Sequence, residues 1–582
     1  MDLPDLRVRA ERWIADDVDP TTQDELRALL ARPDLASTDV ADRFATSLEF
    51  GTAGLRGLLG AGPNRMNRAV VARAAWAIGR EVRLTVPRAA ERVVVVGGDA
   101  RWMSREFCDD IASVLSAIGL RVVLFPRPVP TPLVGFALRR LGAAAGVVVT
   151  ASHNPRDYSG CKVYWENGAQ IVPPIDARIA ALIDQAPPAR HVPRLSFDAA
   201  RARGLLAPAP DTIDRDYLAA IAALSVHPTE GDRRIPIVYT PLHGVGGHHV
   251  VAALRAGGFS AVATVAEQDA PDPAFPTVAF PNPEEPGVMD HAFALAAKQC
   301  AELVLATDPD ADRLAVAVLR EGRYLQLTGN QVGVLLGHDL LSSRASDRRR
   351  AVITSIVSSP MLGRIATAMG VHHEQTLTGF KWIANRAIEL EAQGYEFVFG
   401  YEEAIGYSVG NVVRDKDGIS AALLVAELAA VLRARGRTLW DELEDISRRW
   451  GAFASTQVNV VRPGASGIQA IRAAMDNLRT SPPLRLGDDE VVAVVDYVSR
   501  VRTDRAAGTA TPLRLPSSLV VGLELASGAR VTARPSGTEP KAEIYVDVCE
   551  PVGQIESPEA AMGRAAARAE AVATLFRAVV PL

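Results

Sequence analysis

At 582 residues the chain has room for about four domains of ordinary size, which excludes one continuous core. Apolar residues make up 48% and charged residues 23%, a balance that excludes a disordered or fibrous chain. The formal charge of −5, from 63 Lys plus Arg against 68 Asp plus Glu, gives no general attraction to nucleic acid or to an anionic membrane, so neither is expected as a partner.

Residues 1–45 read as charged amphipathic helix anchored by Trp13, Leu26, Leu29 and Leu30. Met1 to Trp13 lacks the apolar core of a signal peptide, and no stretch reaches the roughly 18 apolar residues of a membrane span. The four cysteines (Cys108, Cys161, Cys300, Cys549) form no CxxC pair, so a cytoplasmic, reducing location is expected. Strand-like runs then alternate with helical ones: Val93 to Gly98, a helix around Ile111 to Ile118, Val122 to Phe125, and Gly146 to Thr150. This is the alternation of βαβ units in a mainly parallel sheet. The pattern restarts with Ile235 to Thr240, Leu303 to Thr307 and Leu314 to Leu319. It restarts again with Ala351 to Val357, a helix to Met369, Tyr395 to Gly400 and an Ala-rich helix over Ala421 to Leu432. From about Gly451 alternating strands take over (Val491 to Val498, Leu519 to Leu525, Ala542 to Val548), closed by a helix from Pro558 to Phe576. The expected architecture is three similar α/β domains with mixed, mainly parallel sheets (1–205, 206–322, 323–450) followed by an α+β domain (451–582).

Only five of the basic residues are lysines: Lys162, Lys298, Lys381, Lys416 and Lys541. In a chain that favours Arg, a retained Lys marks a place where a compact ammonium cannot be exchanged for a guanidinium.

Four loops carry candidate chemistry. TASHNP, Thr150 to Pro155, follows a buried strand, so Ser152 and His153 arrive where parallel sheets collect their ligands. A plain turn would also explain the composition, and the absence of a G-x-S-x-G elbow argues against a serine hydrolase. DPDADR, Asp308 to Arg313, again ends an apolar strand; read as extended backbone it projects Asp308, Asp310 and Asp312 from one side. Three converging carboxylates suit a hard cation such as Mg²⁺, the alternative being a solvated acidic loop. An EF-hand is excluded, because Arg313 and Leu319 stand where that loop needs Gly and Glu. GYEEAIGY, Gly400 to Tyr407, offers Glu402 and Glu403 as acceptors for sugar hydroxyls, or else as a solvated turn. RPSGTEPK, Arg534 to Lys541, reads as an anion cradle in which Arg534 grips a phosphate while Ser536, Gly537 and Thr538 offer amides and hydroxyls. GVGGHH, Gly244 to His249, lacks the third Gly of a dinucleotide loop, and no Gly-Lys pair offers a Walker motif. Together the loops supply a nucleophile, a cation site, a hydroxyl acceptor and a phosphate cradle, which are the parts of phosphoryl transfer on a sugar phosphate.

The order TASHNP, DPDADR, GYEEAIGY, RPSGTEPK closely resembles the α-D-phosphohexomutase superfamily, whose members include phosphoglucomutases, phosphomannomutases and phosphopentomutase relatives. The resemblance extends to EFGTAGLRG (Glu49 to Gly57), NPRDYSGCKVYWENGAQ (Asn154 to Gln170), YTPLHGVGG (Tyr239 to Gly247) and TGFKWI (Thr378 to Ile383), and four of the five lysines fall in or beside these motifs. It implies four domains around a central active-site cleft. It further implies that Ser152 is carried as phosphoserine and completes, with Asp308, Asp310 and Asp312, a Mg²⁺ shell. Arg56, His153, Lys162 and Arg313 would surround that serine, with Lys162 helping proton transfer. Thr378, Gly379 and Lys381 with Glu402 and Glu403 would read the sugar, while Arg534, Ser536, Gly537, Thr538 and Lys541 hold the phosphate that is not reacting. The implied reaction moves a phosphoryl group between C1 and C6 of a hexose through a sugar 1,6-bisphosphate, in a monomer or homodimer acting on small phosphosugars.

Two departures bear on the substrate. Ala404 stands where phosphoglucomutases and phosphomannomutases usually have Ser, and EEAIGY looks more like the branch with phosphopentomutases. Glu543 stands where a basic residue is common. Glucose 1-phosphate to glucose 6-phosphate is the expected conversion, with mannose and pentose phosphates as alternatives. From a different class, a metal-dependent sugar phosphatase would read the first Asp after LVLAT as its nucleophile.

Overall fold

The computed structural model describes residues 3–51, 54–344, 346–462, 464–536 and 541–580. The chain forms two compact units, Met1–Leu327 with Gly406–Ala430 and Thr328–Ile405 with Val431–Leu582.

In the first unit the leading segment is three helices, Leu3–Asp16, Pro20–Leu30 and Pro33–Ala45, closed over buried Leu6, Ala10, Leu26, Val40 and Phe44. Asp19 caps the second by accepting from Thr21 N at 2.9 Å, where a helix start leaves amides unpaired. A seven-stranded sheet follows in the order Phe50–Gly51, Gly54–Leu58, Tyr158–Trp165, Ala145–Val149, Val93–Gly98, Arg121–Leu124, Leu206–Pro208. Its last four strands are parallel, and the Val runs Val93–Gly98 and Ala145–Val149 are covered on their faces as their unbroken apolarity requires. Helices Arg68–Thr85 and Ser104–Ala117 supply Ala72, Ala75, Ile111 and Leu115 to that core.

A second, five-stranded sheet of the same unit runs Arg323–Gln326, Leu314–Arg320, Leu303–Thr307, Ile237–Thr240, Val262–Thr264. Here the structure differs from a plain βαβ reading. Leu314–Arg320 lies antiparallel to Leu303–Thr307, so residues 308–313 form a tight connection between neighbouring strands. Ala311 takes the left-handed conformation (φ 57°) and its amide bonds Asp308 O at 2.9 Å. The three aspartates therefore converge through a turn, not through the alternation of an extended strand.

The second unit contains a parallel group, His372–Thr376, Arg349–Ser355 and Tyr395–Glu402, and an eight-stranded C-terminal sheet. That sheet is antiparallel throughout, from Ala452–Val461 and Lys541–Glu550 to Thr509–Pro512, and the helix Pro558–Val579 covers it with Ala561, Ala565, Ala569 and Phe576. Along Ala452–Val461 exposed and half-buried positions alternate, the pattern expected when one face is covered, whereas Lys541–Glu550 is buried at most of its positions. Among the described residues no helix is long and apolar enough to cross a membrane.

Candidate active site

The TASHNP loop leaves strand Ala145–Val149 and turns sharply, with Ser152 in the left-handed region (φ 51°) and buried. That conformation costs a non-glycine residue about 1–2 kcal/mol and is offset locally. Ser152 N donates to Thr150 Oγ1 at 2.8 Å, Thr150 Oγ1 donates to Asp99 at 2.7 Å, and buried Arg101 donates to the carbonyls of Ser152 (2.7 Å), Pro155 (2.8 Å) and Asn154. The serine hydroxyl donates to Asp308 Oδ2 at 2.6 Å and lies 3.3 Å from His153 Nδ1.

The turn Asp308–Arg313 brings its three carboxylates together. Their ligating oxygens lie within 4.8 Å of one another, and all three residues are fully buried. Lys162, on strand Tyr158–Trp165, donates to Asp310 Oδ2 at 2.7 Å and to Asp312 Oδ2 at 2.6 Å. Lys416 adds an ion pair to Asp312 at 3.1 Å, and Thr131 Oγ1 donates to Asp310 at 2.5 Å. Burial opposes the Lys162 charge, but Asp310, Asp312 and Asp415 outweigh it and hold the ammonium above its usual range. Burial likewise raises Asp308, reinforced by Asp310 and Asp312, whereas in Asp312 the cations Lys162, Lys416 and Arg313 overcome burial and hold the carboxyl below its usual range. Burial and the neighbouring Arg313 and Arg56 push the His153 imidazole down.

These residues fit a hard divalent cation. Asp310 Oδ1 and Asp312 Oδ1 are buried oxygens that accept no hydrogen bond among the described residues, an arrangement that is costly unless a cation takes them up. All the donors are oxygens, the set preferred by Mg²⁺ and not by softer metals. Arg56 and Arg313 complete the surroundings: Arg56 Nη1 donates to Asn154 Oδ1 at 2.8 Å, and Arg313 N donates to Asp308 Oδ1 at 3.0 Å. Burial brings the Arg56 guanidinium down to about 10, with Asp310 opposing.

In the second unit the motifs expected to read the sugar and hold the phosphate meet one another. Gly379, at φ 107°, turns its amide toward Glu402 Oε1 at 2.6 Å, a conformation that an L side chain at this place would strain. Glu403 Oε2 accepts from Ser355 Oγ at 3.0 Å and Ser358 Oγ at 3.2 Å. Arg534 Nη1 donates to Thr378 Oγ1 at 2.6 Å and pairs with Glu543 at 3.7 Å, while Lys541 Nζ lies 3.4 Å from Glu543. Lys381 Nζ stands 5.6 Å from the Trp382 ring centre, and Ser536 N donates to Lys541 O at 2.8 Å. Gly537 and Thr538 lie outside the described residues.

Several organising residues escape a motif reading. Arg101, Asp99 and Thr150 hold the serine loop, and Thr131 and Lys416 hold the acidic turn. Asp415 accepts from Tyr164 and Gln170, both at 2.6 Å, and stands 3.6 Å from Lys416. The scarcity of lysine did point to Lys416; nothing in the sequence separates Arg101 from the other arginines. The Gly-rich loop after Tyr239 also has its use here: Val245 N donates to Pro309 O at 2.8 Å, and a Cβ on Gly244 would stand 2.4 Å from Pro309 Cα. It is a seat for the acidic turn.

Comparison with known proteins gives a consistent result. Three models described as phosphoglucomutase/phosphomannomutase α/β/α domains I, II and III match residues 47–190, 215–322 and 328–449. The chain is 35% identical to the phosphopentomutase of Mus musculus, over 93% of this chain and 90% of that one. It is also 35% identical to the phosphoglucomutase of Staphylococcus epidermidis, over 86% of this chain and 91% of that one. A solved phosphoglucomutase/phosphomannomutase family protein from Burkholderia thailandensis shares the fold with a TM-score of 0.66, 20% identity, and coverage of 91% and 97%.

Proposed function

Since the chain belongs to the phosphoglucomutase/phosphomannomutase family and is a phosphosugar mutase, we propose that it transfers a phosphoryl group by way of Ser152 and that a pentose 1-phosphate and its 5-phosphate are its preferred pair. The observation that carries the Ser152 assignment is the 2.6 Å contact between its hydroxyl and Asp308, inside a buried carboxylate cluster with oxygens to spare. The pentose reading is supported by Ala404, which withdraws a hydroxyl from the sugar loop, and by similarity to a phosphopentomutase over 93% of the chain. The similarity to a phosphoglucomutase supports glucose 1-phosphate and glucose 6-phosphate as the second reading. Four domains, 1–205, 206–322, 323–450 and 451–582, would contribute the serine, acidic, sugar and phosphate loops in turn.

Ser152, once phosphorylated, loses its Oγ–P bond as a sugar hydroxyl oxygen forms a new bond to phosphorus, and the proton of that hydroxyl ends on the freed Ser152 Oγ. The resulting sugar bisphosphate turns over, and its other phosphoryl group returns to Ser152, so the net change is isomerisation. Asp308, Asp310, Asp312 and Ser152 would hold Mg²⁺, which when bound draws charge off the phosphoryl oxygens. Lys162 has three donors; two are committed to Asp310 and Asp312, and the third can meet the sugar oxygen. Arg56 and Arg313 would set a positive field for an incoming dianion despite the chain's net charge of −5, with His153, held neutral, beside Ser152. Thr378, Gly379, Lys381, Glu402 and Glu403 would orient the sugar hydroxyls, and Arg534, Ser536, Gly537, Thr538 and Lys541 would hold the distal phosphate. A coupled assay with ribose, glucose, mannose and glucosamine 1-phosphates, each with and without a catalytic bisphosphate, tests this. The highest kcat/KM is expected for ribose 1-phosphate, and a higher value for glucose 1-phosphate would select the second reading. A Ser152→Ala chain that still released inorganic phosphate would favour a phosphatase.

A further inference from the structure

The second unit has a cavity of about 600 Å³ to which none of the sugar or phosphate motifs contributes. It lies among the end of helix Leu439–Trp450, the end of strand Lys541–Glu550 and the turn at Ser527 and Gly528, and its rim carries Arg364, Arg448 and Arg449. Some arginines of this unit sit against carboxylates, as Arg502 does with Glu524 and Arg568 with Glu550, and others bond backbone carbonyls, as Arg350 and Arg505 do. These three do neither. Among the described residues Arg364 donates only to Cys549 Sγ, at 3.4 Å, Arg449 lies over the Trp450 ring at 4.4 Å, and Arg448 pairs with no acid. The carboxylate on the wall, Asp547, is already engaged by Arg530 at 2.6 Å and Ser455 at 2.6 Å. Three exposed guanidiniums thus line one concavity with no carboxylate paired to them, a local positive charge that an entering anion would meet. Forked donors suit a phosphate, and Phe453, Pro360 and Val552 give the same space an apolar wall on which a carbon ring can rest. The volume suits a small organic molecule.

We propose that this pocket is a binding site for a phosphorylated small molecule with a flat ring, the class to which nucleoside phosphates belong. Arg364, Arg448 and Arg449 hold its phosphate, and Phe453 with Pro360 and Val552 supports its ring. The test is calorimetric titration of the full chain with ADP, in magnesium-free buffer, while a saturating sugar 1-phosphate and its isomer occupy the mutase site. Saturable ADP binding is expected under those conditions, weakened at least tenfold in the Arg364→Gln/Arg448→Gln/Arg449→Gln chain, with mutase kcat/KM unchanged as evidence of folding. Should the triple variant misfold, Arg448→Gln alone is expected to weaken ADP severalfold. Adenosine is expected to bind far more weakly than ADP. The proposal is overturned if sugar phosphate abolishes ADP binding, if the arginine variants bind ADP as the parent does, or if adenosine binds equally well.

Discussion

The serine cluster of the first unit and the sugar and phosphate loops of the second are built on opposite principles. Ser152, Lys162 and the three aspartates are all buried, and each is held by a backbone or side-chain partner that is itself buried. Thr378, Gly379, Lys381, Glu402, Glu403, Arg534 and Lys541 are only half-buried, and much of their pairing is with one another. The first arrangement suits chemistry on a dianion, because fixed charges excluded from water act strongly and need no reorganisation. The second suits a ligand that must be held in more than one orientation, because half-solvated pairs exchange partners at little cost.

Replacing members of each set should therefore give effects of very different size. Ser152→Ala is expected to lower turnover by about 10⁴-fold or more, measured in the coupled assay, and a modest loss would show that the buried cluster is not where the phosphoryl group is carried. Asp310→Asn should weaken Mn²⁺ binding, read by electron paramagnetic resonance, and lower turnover by about 100-fold. Unchanged Mn²⁺ affinity would mean that the spare oxygens of the acidic turn hold no cation. Glu543→Gln removes the negative charge that lies 3.7 Å from Arg534 and 3.4 Å from Lys541. KM for the sugar phosphate is then expected to fall about threefold, as the loop's cations lose a competitor, and a rise would assign Glu543 to positioning Arg534.

The smallest expected effect concerns stability. Burial holds the His373 imidazole at about 4, against an ordinary value of 6.5, and Thr354 Oγ1 lies 3.0 Å from its Nε2. Between those two values the unfolded chain binds more protons than the folded one, so stability is lost as pH falls from 6.5 toward 4. A His373→Asn chain should show a smaller drop in Tm across that window, by a few degrees, and an unchanged slope would place the acid sensitivity elsewhere.

Much of this was legible before any fold was seen, for a local reason. Strand runs such as Val93–Gly98 and Leu303–Thr307 are unbroken apolar segments, and a loop's place after such a strand follows from chain order alone. The carboxylate triplet was likewise visible as spacing, although its geometry was not: an antiparallel neighbour strand and the left-handed Ala311 turned an expected extended segment into a turn.

Residue type and order determined the family and placed Ser152, the acidic triplet and the loops Gly400 to Tyr407 and Arg534 to Lys541 along the chain. Tertiary structure alone decided that Arg101 holds the serine loop, that Lys162 and Lys416 share the aspartates, that Gly244 seats the acidic turn, and that three arginines without a paired carboxylate line one cavity. The physical reason is range. Hydropathy and turn chemistry act between residues close in sequence, whereas compensation of charge depends on which distant side chains the packed core brings within a few ångströms.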